Sequence, residues 1–174
     1  MRVRLRSERG FGLIELLIAM VMLNIGILAV VAAFNSGIVA LNRASRASTG
    51  AALADQQMEL YRALPYASIS LDSSTIPSSS PYTTDTAYSA TQVTASCSGS
   101  PVPNECNASR TVTGADRKKY RVDTYIVLST GSTTPPTPTN GRPLKIVTVV
   151  VRDGNYLTAR PFARVSSAFD QSTG

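Results

Sequence analysis

Histidine and tryptophan are absent from all 174 residues, and cysteine occurs only twice. The missing histidine removes the commonest acid–base side chain and the commonest metal ligand together. No Ser–His dyad and no histidine-bearing zinc motif can be assembled. Two cysteines fall short of the four ligands of a structural zinc site, and the carboxylates are too scattered to compose a calcium loop. No glycine-rich phosphate loop ends in Gly-Lys-Ser or Gly-Lys-Thr. The chain is therefore expected to be no enzyme and to hold no cofactor or metal. Proline is missing from Phe11 to Leu64, so no residue there forces a helix to break. Charge is missing from the 24-residue apolar run Phe11 to Phe34, with the single exception of Glu15.

What charge there is lies unevenly. The formal net charge is +6, of which residues 1–10 supply +3 through Arg2, Arg4, Arg6 and Arg9 against Glu8. The remaining 13 basic and 10 acidic residues describe a mixed soluble surface rather than a nucleic-acid footprint. The one dense basic run, Arg117-Lys118-Lys119-Tyr120-Arg121, reads as a solvated strand entry, so nucleic acid is not an expected partner.

Three interpretations compete for residues 1–34. A secretory signal has a 7–15-residue apolar core followed by a small-residue cleavage site; this run is longer and no such site follows. A plain membrane anchor accounts for about 20 apolar residues with arginines on the cytoplasmic side, but not for Glu15, since a charge near the centre of a membrane helix costs roughly 2.5–3.5 kcal/mol. The third interpretation accounts for all of it. Arg9-Gly10-Phe11-Gly12-Leu13-Ile14-Glu15 resembles the processing site of type IV prepilins, a short basic leader ending in glycine, then phenylalanine, then an acid at the fifth mature position. Gly12 stands where that family usually has Thr or Ser.

The resemblance implies a mechanism. A membrane aspartyl protease, prepilin peptidase, would cut between Gly10 and Phe11 and methylate the new Phe11 amine. Glu15 would then pair with the Phe11 ammonium of a neighbouring subunit and set the assembly register. Leu23-Asn24-Ile25-Gly26-Ile27-Leu28 and the stretch from Ala54 to Tyr66 are similar to minor pilins of the pilus-modification (PilV) type. The implied function is a structural subunit of a type IV pilus-like filament. Its implied partners are other pilin subunits, prepilin peptidase, the inner-membrane assembly platform and, before assembly, the cytoplasmic membrane. A minor pseudopilin of a type II secretion system, or a DNA-uptake or adhesion pilin, would share the same N-terminus.

The expected organisation is a leader at 1–10, an apolar membrane and assembly helix at 11–34, an amphipathic continuation at 35–64, and an extracytoplasmic β domain at 65–174. Leu53, Gln57, Leu60 and Leu64 share one helix face expected to pack on that domain, and Pro65 ends the helix. Thirteen of the 15 residues from Asp72 to Thr86 are Ser, Thr, Pro or Asp, a loop composition. A weak strand is expected at 88–95 and another at 110–113. Residues 121–128 alternate as a half-buried strand, and 144–151 read as a central one. Asp153-Gly154 signals a two-residue hairpin, followed by a strand over 156–165 that Pro161 marks as an edge. An even cysteine count in a segment expected outside the cytoplasm suggests a Cys97–Cys106 disulfide; two free thiols are the alternative. The expected class is α+β, a long N-terminal helix laid on a small antiparallel sheet.

Overall fold

A computed structural model describes residues 12–129 and 143–171. The stretch 130–143, whose four prolines read as loop, lies almost wholly outside them, as do Gly10 and Phe11. The chain divides into two compact units, Met1–Ala44 and Ser45–Gly174. One helix, α1 (Leu13–Arg62), supplies residues to both. Its first turn is closed by the Gly12 carbonyl, which accepts from the amides of Glu15 at 2.9 Å and Leu16 at 3.2 Å. It stops at Arg62, because Leu64 precedes Pro65 and a residue before proline is pushed out of helical geometry.

Among the described residues six strands follow: β1 (Leu71–Asp72), β2 (Thr94–Ala95), β3 (Ser109–Thr113), β4 (Lys119–Ser129), β5 (Leu144–Asp153) and β6 (Ala163–Asp170). The last four form an antiparallel sheet in sequence order, with β3 and β6 at its edges. Strands β1 and β2 pair in parallel over two residues. The class is α+β. The expected strand at 88–95 shrinks to β2 plus an isolated bridge from Gln92 to Val127.

The alternation in β4 suggests one wet face, yet Val122 to Ile126 are all buried. Both faces are covered. Val122, Thr124 and Ile126 share a face with their β5 partners Val151, Val149 and Val147. The second half of α1 lies against that face, burying Gly50, Ala54, Gln57, Met58 and Tyr61. The helical stripe is thus centred on Ala54, Met58 and Tyr61, with the expected Leu53, Leu60 and Leu64 at its margins. Gly50 permits the close approach, since a Cβ there would stand 2.9 Å from Cβ of Phe162.

The opposite face carries Asp123, Tyr125 and Arg152, and the Ser/Thr-rich segment covers it. Tyr82 from that segment stacks on Tyr125 with ring centres 4.4 Å apart and donates its hydroxyl to the Thr124 carbonyl at 2.7 Å. The same segment brings Asp85 against the Arg152 guanidinium, while Arg164 reaches both Asp85 oxygens at 2.8 Å. Arg152 also faces Asp123 at 3.5 Å, and Asp123 accepts from Arg121 at 2.8 Å and from the Ser109 hydroxyl at 2.6 Å. A stretch whose composition reads as loop is therefore a packed layer, anchored by two of its side chains, Tyr82 and Asp85.

Two further anchors fix the chain where the segment begins. Cys97 and Cys106 are joined in a disulfide. Asp72 accepts from the Cys97 amide at 2.9 Å and donates its own amide to the Cys106 carbonyl at 2.8 Å. The Ser74 hydroxyl, the Cys97 amide and the Ser74 amide hold the Asp72 carboxyl below its ordinary value. Lys145 donates to the carbonyls of Tyr66 at 2.7 Å and Ile69 at 2.8 Å, tying the chain to β5 just after α1 ends, and burial lowers its pKa.

The Asp153-Gly154 hairpin does not form. The Gly154 amide donates to the Lys119 carbonyl at 2.9 Å, and the Asp153 carboxylate accepts from the amides of Asn155 and Tyr156. The chain turns out of the sheet there and returns as β6 only at Ala163, with Pro161 in the connection rather than in a strand.

Burial alone would raise the Asp85 carboxyl, but the Ala87 amide and the guanidiniums of Arg164 and Arg152 outweigh it and hold it below the ordinary value. A carboxylate with a depressed folded pKa stabilises the fold above its unfolded pKa of about 3.9, and that contribution is lost as pH falls through the folded value. Replacing Asp85 by Asn removes the nearer of the two carboxylates facing buried Arg152, leaves only Asp123 at 3.5 Å, and is expected to cost up to about 3–5 kcal/mol at neutral pH. The loss should shrink as pH falls below about 4. Denaturant unfolding of both proteins across pH checks it; equal midpoints at neutral pH contradict it.

Candidate functional site

The unit Met1–Ala44 is described from Gly12 onward. Every residue from Gly12 to Ala44 is exposed, including Leu13 at 87%, Phe34 at 69% and Leu41 at 72%. These side chains do not form a stripe: Leu16, Leu17 and Ile18 are consecutive and point around the circumference. A helix apolar on all sides is stable only inside something, either a bilayer or a bundle of other helices. The helix is long and apolar enough to cross a membrane. At 1.5 Å per residue, the helical part of the apolar run, Leu13 to Phe34, spans about 33 Å, against a hydrocarbon core of about 30 Å.

Glu15 sits in the first turn of α1. A carboxylate there gains from the helix dipole, but only about 0.3–1 kcal/mol at an exposed position. That is a minority of the roughly 2.5–3.5 kcal/mol that a charge costs at the centre of a membrane helix. Local helix electrostatics therefore do not explain this acid in any apolar setting; a positive partner would. Gly10 and Phe11 lie outside the described residues. Asn24, the other polar side chain of the run, donates to the Met20 carbonyl at 2.9 Å. That local bond gives one of its amide hydrogens a partner within its own helix.

The unit Ser45–Gly174 holds the remaining candidates. Gln57, whose place on the packed face was legible, donates to the Asn104 carbonyl at 3.0 Å and accepts from Arg110 at 2.8 Å. It thereby ties α1 to the disulfide loop and to β3. Among the described residues no group of three or more His, Cys, Asp or Glu could hold a metal. Asp85, Asp123 and Arg152 did not stand out in the sequence. The one available signal was two carboxylates and an arginine in stretches otherwise read as loop or strand, and nothing in their spacing joins them.

Residues 5–31 match the family model described as the prokaryotic N-terminal methylation motif. The match spans Gly10, Phe11, Glu15 and Asn24 and leaves the rest of the chain uncovered. Together with the apolar helix it supports a type IV pilin-like prepilin held in a membrane. No curated protein and no solved structure matches the chain.

The uncovered helix sets a solution behaviour. The full-length chain is expected to self-associate when detergent is removed, whereas a chain beginning at Ser45 stays monomeric. Sedimentation velocity on both checks this; a monodisperse full-length protein in plain buffer contradicts it.

Proposed function

We propose that this chain is a minor pilin of the pilus-modification type, a structural and non-catalytic subunit of a type IV pilus-like filament. One observation carries the reading: a helix apolar on every side and uncovered by its own chain, with a lone acid in its first turn, within the methylation motif. In this reading the precursor sits in the cytoplasmic membrane with Arg2 to Arg9 inside and the Ser45–Gly174 unit outside. Prepilin peptidase cuts between Gly10 and Phe11. Loss of the basic leader removes the charges that fix the helix across the bilayer and leaves a new ammonium at Phe11. Within a bundle of subunits the Glu15 carboxylate pairs with the Phe11 ammonium of a neighbour. Only one axial stagger satisfies both charges, so the pair selects register as well as partner. An assembly platform and its ATPase, separate from this chain, supply the work. The Cys97–Cys106 bridge suits an oxidising compartment outside the cytoplasm.

Glu15→Gln keeps the shape and removes the charge. The variant is expected to be cleaved like the parent and to fall at least about tenfold in sheared filaments, since stranding one partner of a buried pair costs about 3–5 kcal/mol. Quantitative immunoblotting of membrane and filament fractions reads both. Parental levels in filaments contradict the proposed pairing.

A further inference from the structure

We infer that the cleft between the β3–β4 turn and the β5–β6 connection docks onto the anionic phospholipid headgroups of the leaflet from which the chain emerges. The docking belongs to the membrane-held precursor of the proposed reading and rests on that reading. The cleft is open, about 420 Å³ in volume, and its lining includes Arg46, Arg117, Lys118, Lys119, Tyr156 and Phe162. Chain connectivity bounds its distance from a bilayer. Large apolar side chains stay exposed along α1 from Leu13 to Leu41. That stretch makes about 43 Å of helix, against about 40–45 Å for a bilayer with its headgroups. Arg46 follows Leu41 by five residues, so no more than about 18 Å of chain separates it from the headgroup boundary. Arg43, also exposed, stands in the same interval.

The charges in the cleft are not equivalent. Arg46 is bound to Asp153 at 2.7 Å and lies over the Phe162 ring at 5.9 Å. Asp116, the carboxylate of the turn, is engaged by the Tyr120 hydroxyl at 2.8 Å and the Lys118 amide at 3.2 Å. The side chains of Arg117, Lys118 and Lys119 are exposed and make no ion pair among the described residues. Three adjacent, unneutralised cations held near a bilayer suit a surface of negative headgroups, which attracts each of them.

A second, independent observation concerns Arg117. It closes the β3–β4 turn, its amide donating to the Gly114 carbonyl at 3.0 Å, and it does so with φ of 60°. This left-handed position is one that glycine fills without strain. Arginine there is unfavourable for the turn, and such strain points to a role for the side chain that it presents. A third observation narrows the ligand. Tyr156 is 72% exposed at the rim, and the Asp153 carboxylate holds the backbone amides of Asn155 and Tyr156. Tyrosine is favoured at a membrane–water interface, where its ring sits at headgroup level and its hydroxyl stays wet. A free phosphate would use the charge of this cleft but not the ring.

The chain contains no tryptophan, so Tyr156→Trp places a single fluorescent reporter at the exposed rim. The full-length variant is reconstituted in nanodiscs of phosphatidylcholine, with or without about 30% phosphatidylglycerol to supply the negative surface. A trace of headgroup-spin-labelled lipid quenches the reporter at short range. Each docked cation should favour the anionic surface about fivefold. Quenching should therefore be at least about threefold stronger in the anionic discs, and the difference should vanish at about 1 M salt, where the Debye length is about 3 Å. Arg117→Gly in the same background relaxes the turn and so keeps the fold, which its melting curve checks. It should lower the ratio of docked to free protein about fivefold. Equal quenching in the two kinds of disc overturns the docking, as does an Arg117→Gly protein quenched like its parent. Inorganic phosphate that abolishes the quenching at constant ionic strength overturns the lipid assignment in favour of a free phosphate. A chain that does not enter zwitterionic discs at all overturns the membrane reading itself, and the docking with it.

Discussion

An apolar helix that its own chain leaves bare has to be covered by something else. From Leu13 to Leu41 the first part of α1 exposes leucine, isoleucine, valine, methionine and phenylalanine on all sides. Water is excluded as its resting environment by the hydrophobic effect alone, at roughly 25 cal/mol for each square ångström of apolar surface left wet. A bilayer and a bundle of like helices both satisfy that demand, and the surface does not distinguish them. What distinguishes them is charge. Arginines at one end favour the bilayer, whereas a carboxylate inside the apolar run favours a setting that supplies a cation. A chain carrying both is suited to occupy the two environments in turn, which is the logic of the proposed maturation.

The second part of the same helix solves its burial internally, and it does so with a different residue set. Gly50, Ala54, Met58 and Tyr61 form a narrow face against the valines of β5. Small residues bring the backbone close, and the larger ones fill the space beyond. On the other side of the sheet the cover comes from a segment with little apolar content. Tyr82 supplies the packing, and the charged group of Asp85, Arg152, Asp123, Arg121 and Arg164 supplies the fixing. Removing one member weakens the compensation of the buried charges that remain, so such a group makes the segment's position specific even where its net contribution to stability is small.

The legible parts of this structure are those in which one residue type repeats with a period. The apolar run, the unbroken helix up to Pro65, and the strands over 110–113, 121–128 and 144–151 all follow from pattern and from the absence of breakers. The α+β class followed from these. The illegible parts depend on partners distant in sequence. Tyr82 meets Thr124, and Asp85 meets Arg152 and Arg164; no local rule foretells pairings across 40 to 80 residues. The Asp153-Gly154 signal misled for a related reason. Its glycine is needed for close approach to Lys119, where a Cβ would stand 2.9 Å from backbone atoms, and not for a tight reversal. At the N-terminus the order is inverted. Gly10, Phe11 and Glu15 are conspicuous in the sequence because their meaning is chemical, and the fold of one chain adds only that Glu15 stands in an exposed first turn.

The most direct measurement is the intact mass of the protein recovered from its host's membranes and filaments. On the proposed maturation, residues 1–10 are gone and the chain begins at Phe11, carrying one added methyl group on its amine. A recovered chain that still begins at Met1 contradicts it, because the Phe11 amine would then be an ordinary peptide nitrogen with no charge to offer a neighbour's Glu15.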